Sequence, residues 1–155
     1  MQRPSGALIS KIIERYLIEH YPEQALKSNG SSDYPDLYVS DNDYSFLSPH
    51  IRTASTYAAS LKGGRPVRIP DGIEVKTIVG RGGVDCHYPH VGLHLIVILD
   101  PGDEEKSMRV MDIRLGFARH ATYRITTPRT KATTLKASFN ASTVRSDAFP
   151  SILGD

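Results

Sequence analysis

Three extended segments follow one another in the middle of this chain: Gly72–Val79, His90–Leu99 and Met108–Leu115. The second holds the longest apolar run, Leu93–Leu99, broken only by His94. That run falls well short of the roughly 18 apolar residues of a membrane span, so strands of a buried sheet are its natural use. Asp100-Pro101-Gly102-Asp103 lies between the second and third segments and predicts a turn, which makes the pair a hairpin. A fold built on a sheet is therefore expected.

Helical signals flank these strands. In residues 6–20, Leu8, Ile9, Ile12, Ile13, Tyr16 and Leu17 recur at three- and four-residue spacing, with Ser5 placed to cap and Pro22 beyond the end. Ser48-Pro49 and Gly63-Gly64 bracket a second candidate, with Ile51, Ala54, Ala58 and Leu61 on one face. Lys27–Asp33 reads as a loop, Leu37–Val39 as a short strand and residues 40–43 as a turn. The Thr-rich stretch Tyr123–Phe139 favours strand over helix. Together these predict one α/β domain over residues 1–155, with a central mixed β-sheet flanked by helices.

Composition narrows the function classes. The chain has 155 residues, 39% of them hydrophobic and 23% charged, an ordinary globular balance. Its single cysteine, Cys86, excludes an internal disulfide, and no CxxC pair supports a zinc finger. Cys86, His87 and His90 are close in sequence but lack a nearby fourth ligand. The first residues lack a charged-then-apolar leader. The expectation is a soluble, cytoplasmic protein.

The net charge of +2 hides an asymmetry. From Arg114 to Arg145 there are seven Lys or Arg (Arg114, Arg119, Arg124, Arg129, Lys131, Lys136, Arg145) and no Asp or Glu, so the remainder is acidic. A one-sign segment of this length points to an anionic partner, with nucleic acid the leading candidate. Its Lys, Arg, Ser and Thr residues are the usual donors to DNA phosphates, and a β-hairpin arm would suit them. The Gly- and Arg-rich segment Gly80–His90 is read as a loop able to enter a groove, with Arg81 reaching a guanine edge and His87 beside it.

Chemistry concentrates on the first strand. Residues i and i+2 of a strand share a face, so Glu74 and Lys76 point together while Ile73, Val75 and Thr77 point to the core. A bare Glu-x-Lys is weak; another, Glu104-Glu105-Lys106, sits in a polar turn where chance supplies it. The first is set apart by its strand and by Pro35-Asp36 ahead of the short apolar strand Leu37–Val39.

In these residues the chain resembles the PD-(D/E)XK nucleases, which include many type II restriction endonucleases. The resemblance covers roughly the first half of the chain. It implies a restriction-endonuclease-like core and Mg²⁺-dependent hydrolysis of phosphodiester bonds in double-stranded DNA. It also implies Asp36, Glu74 and the carbonyl of Val75 as metal ligands, and Lys76 as the cation that positions the attacking water. Asp71 of Pro70-Asp71 competes for the first place, but three residues from Glu74 it would face the other side of a continuous strand. Some members add a glutamate from the first helix, for which Glu14 and Glu19 are both candidates. A restriction enzyme cutting both strands of a symmetric site acts as a homodimer. A repair or junction-resolving nuclease would share the site. A non-catalytic nucleic-acid-binding protein, or a phage structural protein with a basic arm, would share only the charge. Two features depart from the family: 37 residues separate Asp36 from Glu74, and residues 80–90 show no helical pattern before the next strand.

Overall fold

The structure, a computed structural model, describes residues 6–28, 35–40, 43–47, 72–86, 89, 92–100, 102, 109–126 and 136–153. The expected helix at 48–63, Asp71, His87, Arg129 and Lys131 lie outside them.

The apolar periodicity of the N-terminal segment becomes helix α1, Gly6–His20. Two short strands follow, β1 (Ala25–Ser28) and β2 (Leu37–Val39), paired antiparallel. The three long strands are β3 (Ile73–Val79), β5 (Gly92–Asp100) and β6 (Arg109–Ala118). They form with β1 and β2 a five-stranded sheet of order β1-β2-β3-β5-β6. β3 and β5 are parallel, in register from Ile73 opposite Leu93 to Val79 opposite Leu99; β5 and β6 form the expected antiparallel hairpin. Asp100 closes that hairpin by accepting from the Gly102 N–H (2.9 Å) and from Arg109 (3.1 Å). β5 lies between β3 and β6 and is buried on both faces, which explains its apolar run.

Parallel neighbours need a crossover, usually a helix. Here the connection carries a strand, β4 (Val84–Cys86), that belongs to a second sheet. There β4 pairs with β8 (Lys136–Phe139), which pairs in turn with β7 (Arg124–Thr126), all antiparallel. A 3-10 turn at His120–Thr122 precedes β7, and a one-turn helix, α2 (Ala141–Val144), follows β8. The protein is thus α/β with a mixed sheet.

Of the expected flanking helices, α1 is observed and the one at 48–63 lies outside the described residues. Among the described residues the long helix lies on one face of the main sheet, and the second sheet covers the other. Leu17, Leu37, Tyr44, Ile73, Val75, Leu93, Leu95, Leu115 and Phe117 fill the core on the helix side. Ile78, Ile96 and Ile98 meet Val84, Tyr123, Ala137, Phe139 and Phe149 on the other. The loop expected from Lys27 gives up its first two residues to β1, and the one expected at 80–90 contains β4, because strands this short are decided by their partners rather than by composition. α1 is also turned: Leu8, Ile12 and Tyr16 are 52–58% exposed, while Glu14 and Leu17 are buried. Ser10 hydrogen-bonds Thr77 of β3 at 3.0 Å, setting that rotation. No helix among the described residues is long and apolar enough to cross a membrane.

Candidate functional site

β2 meets β3 at one pair, Leu37 opposite Ile73. Antiparallel register places the residue before Leu37 opposite the residue after Ile73, so Asp36 stands across from Glu74 on the same side of the sheet. The strands part there, and the Asp36 side chain fills the place of a ladder partner: its Oδ2 accepts from the Val75 N–H at 2.8 Å. The N–H and C=O of a strand residue point the same way, so the Val75 carbonyl also faces the gap beside Asp36.

The approach of β2 depends on Gly72. Its φ of +152° is a conformation that side chains rarely adopt, and a Cβ there would lie 2.2 Å from the Leu37 carbonyl oxygen and 2.5 Å from Pro35 Cγ. The buried Tyr44 hydroxyl clamps the same residue, accepting from the Gly72 N–H (2.9 Å) and donating to its carbonyl (3.1 Å). The Pro-Asp dipeptide thus has a packing role for its proline and a polar role for its aspartate.

Glu74 is only 4% exposed. Its Oε1 lies 3.3 Å from the Lys76 ammonium, confirming that the two share a face. Burial opposes the charge of Lys76, but Cys86, Glu74 and Asp36 outweigh it and hold the ammonium pKa above its ordinary value. Asp36 moves the other way for a carboxylate. Burial first, and then the negative charges of Glu74 and Glu14, lift its pKa to about 6, against the opposing pull of the Val75 N–H and of Lys76.

Of the two helix glutamates, Glu19 is exposed and Glu14 is buried. Lys11 reaches one Glu14 oxygen at 3.4 Å; the other, Oε1, has no hydrogen-bond partner among the described residues. A buried carboxylate oxygen left in this state, within electrostatic reach of Asp36, suits a cation. Among the described residues no three His, Cys, Asp or Glu side chains converge into a ready-made metal cage. Mg²⁺ asks for less, since one or two carboxylates with water and phosphate oxygens suffice. Asp36, Glu74 and the Val75 carbonyl meet that requirement in donor type.

The basic candidates are dispersed. Arg81 is exposed but follows the far end of β3, and Val79 alone stands about 16 Å along the strand from Glu74. Arg119, Arg124 and Lys136 are exposed, the last with Asp85 at 3.6 Å. Arg114 is held by Asp112 (2.9 Å) and the Phe149 carbonyl (2.9 Å), and Arg145 donates to the Gly80 carbonyl (2.7 Å). A segment without acids in sequence thus meets acids and carbonyls in space.

Three further residues join the site: Cys86 beside Lys76, and His94 and Tyr123 beyond it. His94 is fully buried and opposite Glu74 in the β3–β5 ladder. The lone polar residue inside an apolar run was the one signal of it in sequence. No protein-family model, curated protein or solved structure matches this chain.

Proposed function

We propose that this chain is a Mg²⁺-dependent DNA endonuclease of the PD-(D/E)XK kind, most simply a restriction endonuclease working as a homodimer in the cytoplasm. The observation that carries this is the meeting of Asp36 with Glu74 where β2 leaves β3, with Lys76 next on the same face. A bound Mg²⁺ supplies charge neutralisation at the phosphate and a water of lowered pKa.

The chain's own residues do the rest. Asp36 and Glu74, with the Val75 carbonyl, are the donors that would hold the ion, and Glu14 adds negative charge behind Asp36. A carboxyl whose proton affinity is raised by a carboxylate beside it marks a site that gains from a cation. Lys76, kept charged by its neighbours, orients the attacking water and balances the charge that develops on the phosphate. Asp36 releases its proton near pH 6, which leaves its carboxylate charged at neutral pH.

The test is plasmid cleavage by the purified protein with Mg²⁺ and with a chelator. Cutting that needs the metal and disappears in Lys76→Ala, with DNA binding retained, is the expected result. A Lys76→Ala variant that nicks plasmid at the parent's rate removes the assignment. A second reading, a non-catalytic nucleic-acid-binding protein, is favoured by the exposed Arg124 and Lys136 beside Ser138 on β7 and β8. It predicts binding without cleavage and no metal at Asp36.

A further inference from the structure

Behind Lys76 the interior between the two sheets holds a directed chain of hydrogen bonds. It begins at the Gly92 carbonyl, which can only accept, so His94 Nδ1 at 2.9 Å carries the proton. A neutral ring then offers Nε2 as an acceptor, and the Tyr123 hydroxyl donates to it at 2.9 Å. With its proton committed, the Tyr123 oxygen accepts from the Cys86 thiol at 4.0 Å. The Cys86 proton is thereby turned away from β3, and the sulfur keeps its lone pairs for the neighbouring Lys76 ammonium. Lys76 closes the chain on Glu74.

The side chains behind Lys76 are all covered. His94 is fully buried, Tyr123 is 7% exposed and Cys86 9%. The Tyr123 ring is fixed edge-on to Phe139 at 5.1 Å, and Phe139 stacks on Phe149 at 5.3 Å. The aromatic wall holds the hydroxyl in place, so its polarity is transmitted as an orientation rather than lost in rotation.

We propose that His94 and Tyr123 are positioning residues for Lys76, acting through the Cys86 sulfur to hold the ammonium at Glu74. The structural part stands on the chain itself; its consequence for cleavage rests on the nuclease reading. Removing the Tyr123 hydroxyl frees the Cys86 proton to turn toward the ammonium, where one donor then faces another. Lys76 must then shift.

The test uses Tyr123→Phe, which keeps the ring, with Cys86→Ala and Cys86→Ser. Side-chain NMR of Lys76, assigned by its disappearance in Lys76→Arg, is the first readout. Tyr123→Phe and Cys86→Ala should both shift this signal, and Cys86→Ser, which keeps a hydroxyl in place of the thiol, should restore it toward the parent's. On DNA, each of the first two should lower kcat about tenfold with KM unchanged, and the double variant should lose no more than one of them, because they break the same chain. An unmoved Lys76 signal in Tyr123→Phe overturns the proposal, as do losses in the double variant that multiply. Should Tyr123→Phe fail to fold, the Ala-against-Ser contrast at Cys86 decides by the same signal. A shifted signal in a protein that cuts no DNA upholds the positioning chain and discards the nuclease.

Discussion

The change Asp36→Asn tests the electrostatics of the candidate site without requiring that it cut anything. In the folded protein Asp36 has a pKa of about 6 against an ordinary 3.8. The native state therefore holds this proton more tightly than the unfolded chain does. The stability it contributes is whole below about pH 4 and is lost as pH rises through about 6. At about 1.36 kcal/mol for each pH unit between the two values, the loss would approach about 3 kcal/mol. Asp36 is partly exposed, and solvent screening brings the expected loss to about 1–2 kcal/mol. Asparagine keeps an oxygen for the Val75 N–H and carries no charge at any pH. In a chelator, urea unfolding of the two proteins should therefore coincide near pH 4. At pH 7.5 the variant should be the more stable by about 1–2 kcal/mol, a rise in Tm of roughly 3–6 °C. Excess Mg²⁺ should then raise the parent and leave the variant where it was, since a ligand stabilises only the state that binds it. A variant less stable than the parent at pH 7.5 without metal would refute the argument, because Asp36 would then be a net stabiliser when ionised.

Two further changes follow from the same geometry. Glu14→Gln removes one of the negative charges behind Asp36, so the Asp36 pKa, followed by carbon NMR of its carboxyl, should fall toward 3.8; a value that stays put would separate Glu14 from the site. Gly72→Ala forces a Cβ against the Leu37 carbonyl at a φ that alanine avoids, and should cost about 3 kcal/mol or more in chemical unfolding. A Gly72→Ala protein with the parent's stability would mean that the β2–β3 approach is looser than described.

What could be read from the sequence was whatever depends on period and local chemistry. Three long strands, their hairpin and α1 all follow from alternation or helical spacing, and Glu74 and Lys76 share a face because a strand has period two. The nearness of Asp36 to Glu74 was legible because Pro35 and the short apolar strand mark a separate element, free to lie across from Glu74. Properties set by partners were not legible. β1 and β4 exist because β2 and β8 pair with them, and nothing in Ala-Leu-Lys-Ser or Val-Asp-Cys announces it. The rotation of α1, which buries Glu14 and exposes Ile12, is decided by contacts such as Ser10 with Thr77. The basic stretch looked unopposed because Asp112 and Asp85 lie outside it in sequence. Arg81 is near Glu74 in number but not in space, because a strand carries the chain about 3.3 Å away with each residue.

The strand that bridges β3 to β5 has a consequence for how the protein is made. β4 can finish its pairing only with β8, some fifty residues further along the chain. A chain emerging from the ribosome can bring Asp36 to Glu74 once residue 79 is free, but the wall behind Lys76 waits for Tyr123 and for residues 136–139. Contacts this distant in sequence close slowly. The lysine's side of the sheet therefore depends on residues that leave the ribosome last.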